Sequence, residues 1–216
     1  NDVIRSAACQ DYDSFYREKF GDWQPPLATV TTSSEGAVTF KALLFIPSAT
    51  PYDFYTREYE KGLQLYSSGV LIMDKCADLL PDCFRFVKGV VDSPDFSLNI
   101  SRELLQHDRQ LKIIAAALEK KIKNELVKLM KDDREKYEKF WAAFGRQLKY
   151  SVTEGYGAKK ELLQDLLLFT TSKEGKLASL AEYAERMGEG QEFVYYVCAD
   201  TKEQAARLPQ VERIAD

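Results

Sequence analysis

The sequence predicts an α/β (α+β) chain: a mixed-sheet α/β sandwich subdomain, a helical connector, and the truncated start of a second, smaller α/β subdomain. Three observations predict it. Apolar residues recur with a period of two before Ser101 and with a period of about 3.6 after it. A second strand-like run, Phe-Val-Tyr-Tyr-Val-Cys, follows at residues 193–198 with a helix start behind it. These changes place the first subdomain at residues 1–130, the connector at 131–170, and the start of the second subdomain at 171–216.

Each element has a local cause. Residues 11–20 read as a short helix with Phe15, Tyr16 and Phe20 on one side, ended by Gly21. Trp23 and the Pro25-Pro26 pair lead stiffly into two strands at about 27–33 and 37–46, joined by a turn at Glu35-Gly36. The second strand carries Val38, Phe40, Ala42, Leu44 and Ile46 on one face and Leu43 and Phe45 on the other, so its far half is expected to be covered on both sides. Pro47 and Pro51 stop it. Further strands are predicted at 63–66, 70–73 and 84–91. Leu111, Ile114, Leu118, Ile122, Leu126 and Leu129 form the apolar stripe of a long helix with a lysine-rich outer face. Asp132 or Asp133 caps a second helix, whose Tyr137, Phe140, Trp141, Phe144 and Leu148 are expected in the core. A third helix is predicted through Leu162, Leu163, Leu166, Leu167 and Phe169. Ser179 and Glu182 have the spacing of a capping box, residues 193–198 read as a buried strand, and Asp200 or Thr201 starts another helix. One strand and one helix cannot close a packed unit, hence the expectation that this second subdomain is cut short.

Composition narrows the function. The 30 basic and 34 acidic residues give a net charge of -4, against a nucleic acid as main partner, which calls for a concentrated basic surface. No stretch approaches the ~20 apolar residues that span a bilayer, so no membrane partner is expected. No secretory signal follows Asn1, and a start without Met suits a piece of a longer chain. Cys9, Cys76, Cys83 and Cys198 match no zinc spacing, and His107 is the only histidine, so no metal site is expected. The cysteines are expected to be small buried hydrophobes. No phosphate-binding Gly-rich loop and no nucleophile–histidine arrangement is present.

The polar loop at 88–106 is the exception to this plain surface. Asn99 and Ser101 are both suited to cap the helix that follows, and Glu103 suits its first turn. Arg102 does not, since a cation at the positive end of a helix is disfavoured by a few tenths to about 1 kcal/mol. An anion there meets free backbone N–H groups and a guanidinium together, with Gln106 one turn on. The plain alternative is an ion pair of Arg102 with Asp92, Asp95 or Glu103.

The same loop carries a family likeness. Gly89-Val90-Val91-Asp92-Ser93, then Leu98-Asn99-Ile100-Ser101-Arg102-Glu103 and Gln106, resembles the catalytic-loop signature of heat-shock protein 90 chaperones. Trp23 with Pro26-Leu27, the run from Phe40 to Pro47, the stretch from Asp74 to Pro81, Phe140-Trp141-x-x-Phe144-Gly145, and Tyr195-Tyr196 fall in that family's order and approximate spacing. The likeness covers essentially the whole chain and is similar to the bacterial branch. Pro94 and Phe96-Ser97 depart from the usual loop residues, which bears on loop stiffness.

This resemblance implies the middle segment of an ATP-dependent chaperone. It implies that Arg102, assisted by Gln106, reaches the terminal phosphate of ATP held with Mg by an N-terminal ATPase domain, which also supplies the general base. Asn99 and Ser101 organise the loop. The implied partners are that domain, a C-terminal dimerisation domain and client proteins, in the cytoplasm; the segment alone is expected to hold no cofactor and to be inactive. Trp23 matches a client-contacting tryptophan; its surroundings fit either an exposed indole on a loop or one packed on the sheet edge. Two other readings stay open: a non-catalytic interaction scaffold, and a self-sufficient phosphate-processing enzyme using Arg102.

Overall fold

The computed structural model describes residue 4 and residues 11–97, 108–172, 175–209 and 211. By its contacts the chain divides into two units, Asn1–Leu163 and Gln164–Asp216.

The first unit is built on a five-stranded sheet of order β1-β2-β5-β3-β4. Its strands are β1 (Ala28–Glu35), β2 (Thr39–Ile46), β3 (Leu63–Ser67), β4 (Val70–Cys76) and β5 (Lys88–Asp92). Strand β2 runs antiparallel to β1, with Ala28 opposite Ile46, and antiparallel to β5, with Leu44 opposite Gly89. Strands β3 and β5 are parallel, and β4 closes the edge antiparallel to β3, so the sheet is mixed as predicted. Helix α1 (Tyr12–Phe20) ends at Gly21, whose φ of 64° is open to glycine and lets its N–H donate to the Arg17 carbonyl. It lays Phe15 and Tyr16 over Leu43, Phe45, Tyr66 and Val90. The Phe45 ring meets Tyr16 at 5.0 Å, Phe20 at 5.9 Å and Phe15 at 6.2 Å between centroids. Ala42, Leu44 and Ile46, on the opposite face, are just as buried, so the expected two-sided cover of β2 holds.

The strand predicted from Phe84 starts at Lys88 instead. Asp82–Phe84 is a single 3₁₀ turn, set up by the extended Pro81 before it. Phe84 and Phe86 are both buried, and Phe86 packs on a helix, its ring 4.6 Å from Phe144 and 5.3 Å from Phe140. Aromatic content alone does not distinguish such a turn from a strand.

Helices α2 (Arg109–Asp132) and α3 (Arg134–Thr153) follow the predicted stripes. Leu111, Ile114, Leu118, Ile122 and Leu126 of α2, and Tyr137, Phe140, Trp141, Phe144 and Leu148 of α3, are all buried. Asp133 separates the helices: its N–H donates to the Leu129 carbonyl, and its carboxylate accepts the Lys136 N–H at 3.0 Å. The third predicted helix is broken into α4 (Lys160–Leu163), a 3₁₀ turn at Gln164–Leu166, and strand β6 (Phe169–Thr170). Leu166, Leu167 and Leu168 are all buried, and three adjacent side chains cannot share one helical face.

In the second unit β6 pairs with β7 (Leu177–Ala178). Helix α5 (Leu180–Glu185) opens with the predicted capping box: the Glu182 N–H donates to Ser179 Oγ, and the Ser179 N–H to the Glu182 carboxylate. Helix α6 (Lys202–Ala206) is capped by Thr201. The predicted buried strand at 193–198 is not formed. Phe193, Val194, Tyr195, Tyr196 and Val197 are exposed coil, because no strand among the described residues pairs with them. Cys198 is exposed too, unlike the buried Cys76 and Cys83, which corrects the expectation of buried cysteines. Among the described residues no helix is long and apolar enough to cross a membrane.

Candidate functional site

The polar loop leaves the sheet through a tightly bonded stem. Asp92, the last residue of β5, accepts the Gly69 N–H at 3.0 Å through Oδ2. Ser93 donates its N–H to the Tyr66 carbonyl at 3.1 Å and its hydroxyl to the Thr39 carbonyl at 2.6 Å. The Thr39 N–H returns to Asp95 Oδ2 at 2.7 Å, and the Ser67 hydroxyl donates to the Phe96 carbonyl at 2.7 Å. Phe96 is buried, so the unusual Pro94–Ser97 stretch is anchored to β2 and β3. Asp92 and Asp95, the described carboxylates considered as partners for Arg102, thus each accept a backbone N–H.

The chain is described again at Asp108. Its carboxylate accepts the N–H groups of Gln110 at 2.6 Å and Leu111 at 3.1 Å, occupying two of the open donors at the start of α2. Leu111 is the first buried residue of the α2 stripe, so this end of the loop is fixed as well. Asn99, Ser101, Arg102 and Gln106 lie between the two anchors and outside the described residues. Asp108 caps the long helix, which corrects the expectation that Asn99 or Ser101 does so. Its signal was an Asp three residues before the first stripe position, Leu111.

Trp23 is 94 % exposed, on the turn between α1 and β1, which decides between its two readings in favour of the loop-borne indole. The residues around it are held. Asp22 accepts the Tyr16 hydroxyl at 2.6 Å and lies 3.5 Å from the Lys88 ammonium. Ser48 donates its hydroxyl to Gln24 Oε1 at 2.9 Å, and the Leu27 N–H joins the Ile46 carbonyl at 2.7 Å. Burial, reinforced by the hydrogen bond to Asp22, pushes the Tyr16 phenol far above its ordinary value. It therefore stays neutral and donates. Among the described residues no group of three or more His, Cys, Asp or Glu is placed to hold a metal ion.

The family model described as Hsp90 protein matches residues 5–216. The chain belongs to the Hsp90 family. It is similar to the chaperone protein HtpG of Clostridium botulinum strain Hall, 58 % identical over 207 residues, or 96 % of this chain and 33 % of that protein. The HtpG of Clostridium acetobutylicum is 56 % identical over the same shares. Among solved structures, the middle domain of a Plasmodium falciparum heat shock protein superposes with a TM-score of 0.81 at 30 % identity, covering 95 % of this chain and 80 % of that one. The chain thus has the Hsp90 middle-domain fold, and it spans about a third of the length of the curated relatives it matches. The likeness to the bacterial branch read from the sequence agrees with these HtpG relatives.

Proposed function

We propose that this Hsp90 middle domain serves an ATP-dependent chaperone by delivering Arg102 to the γ-phosphate of ATP held, with Mg, in a separate N-terminal domain. The observation that carries the reading is the sequence of residues 98–106, which resembles the family's catalytic loop, between two anchored ends. Preorganised positive charge is what a phosphoryl-transfer transition state uses. Arg102 neutralises charge on the transferring group, Gln106 assists in the same contact, and Asn99 and Ser101 organise the loop. The general base belongs to the N-terminal domain. A C-terminal dimerisation domain and client proteins complete the partners, Trp23 offers clients an aromatic contact, and the setting is the cytoplasm.

The test is the steady-state ATPase rate of the full-length parent with and without Arg102→Ala. A loss on the order of a hundredfold or more, with nucleotide still bound, is the expected result for one charged transition-state contact. An unchanged rate overturns it and leaves the domain as a non-catalytic scaffold.

A further inference from the structure

The connection between β2 and β3, residues 47–62, contains no helix or strand, and connections of that length without regular structure are uncommon in a packed domain. This one is bonded to the body of its unit. The Thr50 hydroxyl donates to the Ala143 carbonyl at 2.8 Å, and Lys61 bonds the Leu80 carbonyl at 3.0 Å and the Asp82 carboxylate at 2.6 Å. Phe54 is fully buried, its ring 5.5 Å from Phe144 and 4.9 Å from both Tyr55 and Tyr59.

Arg85 stands at the centre of these contacts. Its guanidinium lies 4.9 Å from the Tyr59 ring centre and 5.4 Å from that of Phe54. The Tyr59 hydroxyl donates to the Arg85 carbonyl at 3.1 Å, and Arg85 Nη2 donates to the Tyr59 carbonyl at 3.3 Å. Its Nε is buried with no hydrogen-bond acceptor among the described residues. A buried N–H without an acceptor is unfavourable by itself, so the position is held by the two rings and the reciprocal carbonyl bonds.

We propose that Arg85 is the positioning residue that holds the 47–62 loop against α3 and the 80–85 segment, by setting its planar guanidinium against the adjoining rings of Phe54 and Tyr59. The loop in turn carries Tyr52, whose side chain is fully exposed, and meets the Trp23 turn through Ser48 and Gln24. Setting Arg85 therefore sets the outward display of Tyr52. This inference stands whether or not Arg102 contacts phosphate.

Hydrogen–deuterium exchange of the intact protein tests it, because the loop has bonded amides to follow: Phe54 N–H to the Pro51 carbonyl and Thr56 N–H to the Asp53 carbonyl. In Arg85→Ala these amides should exchange about tenfold faster or more, with β2 and β5 unchanged. Arg85→Lys keeps the charge but not the plane, and should release the loop nearly as far. It also serves if the alanine variant does not fold. Loop protection retained in Arg85→Lys overturns the proposal, as does a rise shared equally by loop and sheet, which marks plain destabilisation.

Discussion

Two apolar runs of this chain have nearly the same character and opposite fates. Residues 40–46 form the inner part of β2 and include Leu43, Leu44 and Phe45, which are fully buried. Residues 193–198 are richer still in aromatic and β-branched side chains, yet they lie exposed, with Tyr196 at 88 %. The difference is neighbours. Strand β2 has β1 on one side, β5 on the other and α1 above, whereas the second run has no strand paired with it among the described residues. Strand preference expresses how well a side chain suits a pleated, half-buried surface, and it becomes a strand only when that surface exists.

Thiol chemistry gives the widest expected separation of the two settings. Burial pushes the Cys76 thiol up to about 11, with Asp78 adding to it, and pushes Cys83 up to about 12, with Glu119 adding to it. At pH 8 a thiol at 11 is roughly a thousandth ionised, and burial also blocks access. Cys198, at the end of the exposed run, has no such barrier to access. Mass-spectrometric mapping of iodoacetamide labelling should find Cys198 modified a thousandfold or so faster than the other two. Comparable rates at all three sites would show that the first unit opens as readily as the 193–198 run.

Substitutions should separate the runs next. Phe45→Ala removes a fully buried ring that three aromatic neighbours touch, and should destabilise the fold by about 3–5 kcal/mol in urea titrations. Tyr196→Ala removes an exposed ring and should stay within about 0.5 kcal/mol. If Tyr196→Ala proves as damaging as Phe45→Ala, the second run is part of a packed core.

The same contrast explains what could be read from the sequence. Periodicity places the stripes of α2 and α3 because each helix buries one continuous face, and local chemistry places the Gly21 cap and the Ser179–Glu182 box and narrows the α3 cap to Asp132 or Asp133. Phe84, Phe169 and residues 193–198 depart from the expected elements because their environment is supplied from elsewhere, and no local period encodes it. The order β1-β2-β5-β3-β4 rests on non-local pairing for the same reason. At the site, the residue types of the Arg102 loop were readable, but its anchors were not. Ser93, Asp95 and Phe96 acquire that role through Thr39, Tyr66 and Ser67, far away in sequence. Arg85 likewise gave no sequence signal, since its rings come from a loop 26 residues earlier at Tyr59.

Helix caps give the smallest expected effect and the finest test of coupling to a core. Asp108 and Ser179 do the same local work, each accepting N–H groups at a helix start. Replacing such a cap by alanine typically removes about 1 kcal/mol. Helix α2 buries five residues, so the loss at Asp108→Ala should appear in full as a shift of the urea midpoint. Asp108→Asn should restore most of it, because an amide oxygen caps nearly as well as a carboxylate. Helix α5 buries none of its residues, so Ser179→Ala should melt that helix locally and move the midpoint by less than about 0.5 kcal/mol. Peptide-resolved hydrogen exchange reads the local part and urea titration the global part. Should Ser179→Ala shift the midpoint as far as Asp108→Ala does, helix α5 is coupled to a core that its own exposed side chains do not reveal.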